Sequence, residues 1–217
     1  MNASLNELES LCKKAARGAG LSWGLAEEAG KAARWLAAHG LDGAALLSAQ
    51  LQQDDGCTYP QLAPQVGNGS WHVPGHWMCP LIAGASLCDH SYLLRDGTPL
   101  HLVEVASPEL LLPFVSAAAQ QSGLALELSW AGCSVQFDRQ GKAFVHHVEG
   151  LGQHHAAQIV CRRSNSAEPP GQPLQGPLPP LAEAVQQALE RLAARTYVPA
   201  SEASRLLGAG AGLSDDN

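Results

Sequence analysis

Residues 11–36 read LCKKAARGAGLSWGLAEEAGKAARWL, and the fold of the 217-residue chain depends on how this stretch is parsed. Two helical patterns meet in it at a glycine-rich corner. Leu5, Leu8, Leu11, Cys12, Ala15 and Ala16 recur at three- and four-residue spacing, which predicts a helix from about Leu5 to Arg17 with one apolar face. Gly18 and Gly20 end it, because glycine reaches the left-handed conformation that helix C-termini favour. Ser22 is placed to cap a second helix, whose buried stripe is Leu25, Ala29, Ala32 and Leu36. Gly24 and Gly30 each weaken that helix by about 1 kcal/mol relative to alanine. Glycines at such places let another backbone or a ligand approach closely.

Lys13, Lys14 and Arg17 lie on one side of the corner, and Glu27 and Glu28 on the other. Glu27 and Lys31 are four apart, and Glu28–Lys31 and Lys31–Arg34 three apart, spacings that pair on a helix surface. One reading is therefore two antiparallel helices with a solvated charged face. The other is an anion site built from Lys13, Arg17 and the Ser22 helix start, with Arg34 and Arg205 adding charge and Glu27 or Glu28 as acid/base. A dinucleotide-binding fingerprint needs a strand before its glycines, and a helix precedes them here.

The segments ARGAG (residues 16–20) and WGLAEEAGKAARWL (23–36), with the tail TYVPASEASRLLGAGAGLSDDN (196–217), resemble a family of bacterial proteins of unknown function. The resemblance implies a bacterial, cytoplasmic protein. It carries no activity, cofactor or catalytic residue.

Composition narrows the classes. At this length the chain buries about 70% of its unfolded surface and needs no disulfide staples. The net charge is -7, with 13 basic against 20 acidic residues. That balance disfavours nucleic acid or an anionic membrane as partner, since both select basic surfaces. The opening MNASLNELES lacks the basic and apolar regions of a signal peptide, and no run of about 18 apolar residues is present. Six scattered cysteines read as reduced thiols, several of them buried, in a cytoplasmic protein.

Beyond the corner, Gly40-Leu41-Asp42-Gly43 breaks the second helix. A third follows through Ala44, Leu46, Leu47 and Leu51 to about Gln53, so residues 1–53 form a three-helix unit. Residues 54–97 are expected to be irregular, punctuated by glycine and proline, with Trp71, Trp77 and Met78 wrapping over other parts of the structure. Residues 98–163 read as an α+β sheet region. Leu100–Val105 is a strand, and Ser107-Pro108-Glu109 starts a helix that kinks or truly begins at Pro113. Strands then follow at Leu124–Trp130, Cys133–Phe137, Lys142–Val148 and Ala156–Cys161. Residues 164–180 form a proline-rich linker, and residues 181–217 an amphipathic helix on Leu181, Val185, Leu189 and Leu192 with a tail that Ser201 caps. The expected class is α+β: an N-terminal three-helix unit, a mainly antiparallel sheet with one covering helix, and a C-terminal helix, all in one domain.

Two further clusters suggest chemistry. His72, His76, Cys79, Cys88 and His90 supply zinc-type donors within nineteen residues, in a spacing that matches no standard zinc motif. No metal is favoured there; the alternative is a tryptophan- and proline-rich loop that happens to contain histidines. His146-His147 and His154-His155 flank a Glu149–Gly152 turn, and adjacent histidines on a strand face opposite sides. No G-x-S-x-G nucleophile elbow occurs. Three functions follow: a cytoplasmic enzyme or enzyme subunit acting on a small anionic metabolite, a non-catalytic accessory protein binding a partner through residues 71–80 or the 164–180 linker, or a metal-binding protein using the 72–90 loop. A homo-oligomer or a protein partner fits any of the three.

Overall fold

The computed structural model describes residues 3–67, 69–164 and 171–197. Helix α1 (Leu5–Gly18) begins where Ser4 and Glu7 close a reciprocal capping box, the Ser4 N–H donating to Glu7 Oε2 at 2.8 Å and the Glu7 N–H to the Ser4 hydroxyl at 3.3 Å. Helix α2 (Trp23–Ala38) is capped by Ser22, whose hydroxyl accepts from the Leu25 N–H at 3.4 Å. Helix α3 (Gly43–Asp54) is capped by Asp42, which accepts from the Ala45 N–H at 3.0 Å. The corner between α1 and α2 turns at Gly20, with φ +103°.

Gly18 is the last residue of α1 and has a second role there. A Cβ at this position would overlap the Leu192 carbonyl oxygen of helix α7 (Glu183–Ala194). Gly30 does the same on the other side, since a Cβ there would sit 2.8 Å from the Glu9 carbonyl oxygen. The N-terminal unit therefore has four helices, because α7 returns to pack on α1 and α3. A bidentate Arg195–Asp55 ion pair, at 2.7 and 2.9 Å, ties the end of α7 to the end of α3.

Residues 54–97 are more ordered than their composition suggests. They contain a four-residue helix α4 (Tyr59–Leu62), strand β1 (Ser70–Trp71) and helix α5 (Pro80–Asp89). Leu81, Ile82, Ala83 and Leu87 of α5 are all buried, so the helix has no polar stripe to betray it. Pro80 opens this helix at its first position instead of breaking the chain. Trp71 and Met78 are fully buried, the Trp71 indole N–H donating to the Gly67 carbonyl at 2.9 Å, whereas Trp77 stays exposed.

Strand β2 (Leu100–Ala106) leads into a 3-10 turn (Pro108–Leu111) and helix α6 (Leu112–Ser122). Ser107 does not cap: it takes a left-handed conformation, φ +39°, with no side-chain bond to the helix. Strands β3 (Leu126–Trp130), β4 (Cys133–Phe137), β5 (Ala143–Val148), β6 (His155–Arg163) and β7 (Gln172–Pro173) complete a sheet ordered β1-β2-β6-β3-β4-β5-β7. Among the described strands only β1 and β2 pair parallel, and a single parallel bridge joins Met78 to Val105. The class is α+β, with β3-β4-β5 a meander and β6 inserted between β2 and β3.

One sheet face, with Leu102, Leu128, Val135, Phe137 and Ile159, is buried. Helix α6 packs on β3 and β4, and α2 packs on α5 and α6. Helices α5 and α6 thus form a middle layer between the four-helix unit and the sheet. The proline-rich stretch is partly structured, since β7 lines the β5 edge and Gly176 crosses against Gly40. Pro173 suits that place, because an edge strand has a side that needs no N–H donor. Residues 165–170, and the tail with Ser201 and Arg205, lie outside the described residues.

The close α1–α7 seam makes a specific prediction. Gly18→Ala should cost about 1–3 kcal/mol of stability through overpacking. Gly24→Ala, whose Cβ would meet open space, should be neutral or stabilise by up to about 1 kcal/mol. Urea unfolding of the two variants checks both signs.

Candidate functional site

The glycine corner divides two concave surfaces. On its outer side α1 presents Lys13, Lys14 and Arg17, and the end of α7 presents Arg195 and Tyr197. With Trp23 these residues line a groove of about 710 Å³. Arg17 is held in two ways: its Nη1 donates to the Leu21 carbonyl at 2.8 Å, and its guanidinium lies 5.1 Å from the centre of the Trp23 ring. Lys13 pairs with Glu27 at 2.6 Å and Arg195 with Asp55. Lys14 has no ion-pair partner among the described residues. The rings of Trp23 and Tyr197 are exposed beside these cations.

The other residues expected at the corner are placed as follows. Ser22 caps α2 and faces the second cavity. Arg34 pairs with Glu9 at 2.9 Å, away from the groove. Glu28 pairs with Lys31 at 2.8 Å. The Lys13 ammonium beside Glu27 holds its carboxyl below the usual carboxylate range. Arg205 is outside the described residues.

On the inner side of the corner is a cavity of about 370 Å³. Leu21 and Leu25 of the corner, Leu51 of α3, Leu62 of α4 and Ile82 of α5 supply apolar walls, and Asp54 a carboxyl group. Tyr59, exposed, and Cys57, half-buried, open it to solvent. Asp54 is only 7% exposed, and its Oδ1 accepts from the buried Gln50 Nε2 at 2.9 Å. Gln50 Oε1 and Asp54 Oδ2 are buried with no N–H or O–H donor, and the Asp54 carboxyl has the weak Cys79 S–H as its further donor. Buried acceptors left in this state are uncommon and costly. Cys79 lies beside Asp54, and burial pushes its thiol well above the usual range.

Gln50 and Asp54 were legible as an anomaly. They are four apart on the same stripe as Leu47 and Leu51, so two polar side chains occupy the buried face of α3.

The loop histidines and cysteines do not converge. His72 and His76 are exposed, while the Cys88 Sγ–H faces the Phe114 carbonyl at 3.3 Å and the His90 Nδ1–H donates to the Ser86 carbonyl at 2.8 Å. Among the described residues no three His, Cys, Asp or Glu side chains have a geometry to hold a metal ion. His146 and His147 are separated by a β-bulge, which pairs Ser134 with His147 and Val135 with Val145. His155 packs its ring 4.5 Å from Trp77. All six cysteines are free, and burial pushes the thiols of Cys12, Cys88, Cys133 and Cys161 up to about 12, which leaves them unreactive. No helix among the described residues is long and apolar enough to cross a membrane.

Burial raises the Asp54 pKa above its ordinary 3.8, with the Cys79 thiol and the Gln50 amide opposing the rise. The folded protein then holds this proton more tightly than the unfolded chain does. Stability therefore falls as pH rises from the unfolded value through the raised folded one, and the cost persists at neutral pH. Asp54→Asn removes that cost, so it should melt higher than the natural protein at pH 7. The advantage should shrink as the pH approaches 3.8, which paired thermal melts across that range will check.

No curated protein matches the chain. Residues 3–79 match a protein-family model, and this segment holds α1 to α3, the first strand and every wall of the inner cavity except Ile82. Residues 3–79, the N-terminal third of the chain, are thus similar to the family described as Protein of unknown function (DUF3726).

Proposed function

We propose that this is a cytoplasmic protein that binds a small anionic metabolite in the groove between α1 and α7. The observation that carries the reading is the convergence of Lys13, Lys14, Arg17 and Arg195 from two helices on one groove. Two of these cations have carboxylate partners, Glu27 and Asp55, so the groove keeps positive charge in excess on a chain whose net charge is -7. Arg17 is pre-oriented by the Leu21 carbonyl and the Trp23 ring, which lowers the entropy lost when it grips an anion. The exposed Trp23 and Tyr197 rings favour an anion with a flat organic body. Free thiols throughout the chain suit a reducing compartment.

Glu27 joins this groove through Lys13 and is the first residue to test for proton transfer if the ligand is turned over. Its pairing keeps it ionised, which suits a base better than an acid. Glu28 lies with Lys31 in a surface pair.

Citrate, inorganic phosphate and a nucleoside monophosphate, each at constant ionic strength, provide the test. At about a hundred times its dissociation constant a ligand of the folded state adds near 2.7 kcal/mol, visible as a raised melting temperature. Lys14→Ala removes a cation without a structural partner, so it should weaken binding by about tenfold while leaving the melt of the free protein unchanged. Absence of any shift, or an equal shift in Lys14→Ala and Arg17→Ala, would overturn the reading.

A further inference from the structure

The groove between α1 and α7 also carries a reading of which anion fits it, one that rests on the anion-binding function proposed above. Lys13 and Arg195 are answered by Glu27 and Asp55, whereas Lys14 and Arg17 have no carboxylate partner among the described residues. These two cations are three apart on α1, side by side on one helix face with Cβ atoms about 5–6 Å apart. Both can therefore reach one compact head. A phosphate monoester carries about −1.5 to −2 charges on such a head at pH 7, which two unanswered cations match. Arg17 keeps donors for it, since among the described residues only its Nη1 is engaged, on the Leu21 carbonyl.

A ring stands beside that head. Trp23 opens α2 and is 67% exposed. The Arg17 guanidinium lies over one face of its ring, 5.1 Å from the centre, which leaves the opposite face to solvent. The surface next to it is open as well, because a Cβ on Gly24 would meet nothing within 4 Å. Base–aromatic stacking works with any base, and an arginine behind the ring strengthens it. The groove, about 710 Å³, lies within the range of small-molecule sites.

We propose that the groove takes a nucleoside monophosphate, its phosphate on Lys14 and Arg17 and its base stacked on the open face of Trp23. A polymer fits less well: the chain has a net charge of -7, and two spare cations make no continuous basic track.

The full chain is titrated calorimetrically, at constant ionic strength, with adenosine 5′-monophosphate, ribose 5-phosphate and adenosine. The first has both groups and the others one each. The nucleotide should bind about tenfold more tightly than either fragment. Trp23→Leu should bring the nucleotide down to the affinity of ribose 5-phosphate, which itself should change by less than about twofold. Lys14→Ala should weaken both phosphates about tenfold. Melts of the free variants report their folding, and the comparison of three ligands on the natural protein stands without them. If ribose 5-phosphate binds as tightly as the nucleotide, or if the nucleotide keeps its advantage in Trp23→Leu, the base does not stack on Trp23 and this inference falls while the anion reading stands. If adenosine binds as tightly as the nucleotide, the phosphate is idle and the inference falls too. If no phosphate compound binds while citrate does, only this inference falls; if citrate also fails, so does the anion reading.

Discussion

Helix α1 lies closer to its neighbours than side chains normally permit, and the rest of the N-terminal unit depends on that approach. Gly18 lets the backbone of α7 come against it, and Gly30 lets α2 receive the Glu9 carbonyl. Two contacts at backbone distance, on opposite sides of one helix, fix where its polar face points. Lys13, Lys14 and Arg17 therefore meet Arg195 as neighbours across a seam. The turn after Gly18 forms one wall of the inner cavity, and the residues that flank it, Gly18 and Trp23, line the groove. A small shift of this turn would alter both surfaces at once.

Much of the fold was legible where an element has one wet and one dry side. Helices α1 and α2, the Ser22 cap and strands β2 to β6 all show their period in the sequence, because burial on one face sorts residues by polarity. Helix α5 was hidden for the opposite reason. It is packed between α2 and α6 and apolar on nearly every side, and its opening proline reads as a break. The return of α7 to α1 was hidden because its cause is tertiary: nothing within residues 183–194 says which apolar stripe will receive them. Ser107 shows how a cap signal loses to backbone geometry, since a left-handed residue after β2 redirects the chain before a cap bond can form.

The site was legible only on one side. Cations around the glycine corner announce themselves by charge, and the structure places Lys13 and Arg17 in one groove while assigning Arg34 to a pair with Glu9. The inner cavity was not anticipated, although Gln50 and Asp54 interrupt the apolar stripe of α3. A polar pair at a buried period is easily taken for the frayed end of a helix. Its meaning appears only when Cys79 and Ile82, from a segment with no visible period, close over it. The zinc-type donors show the converse: proximity along the chain did not bring His72, His76 or His90 together.

The seam between α1 and α7 also sets an order of events during synthesis. The stripe of α1 that faces Leu192 leaves the ribosome more than a hundred and fifty residues before its cover. Until residues 183–194 emerge, the glycine-lined side of α1 has nothing to pack against, and the groove has only one bank. The first three helices can collapse locally, but the four-helix unit closes only after the entire sheet has been made. Such a long-range closure slows folding and leaves an early apolar surface open to wrong partners. A nascent chain stopped before α7 would be a client for chaperones even with its sheet complete.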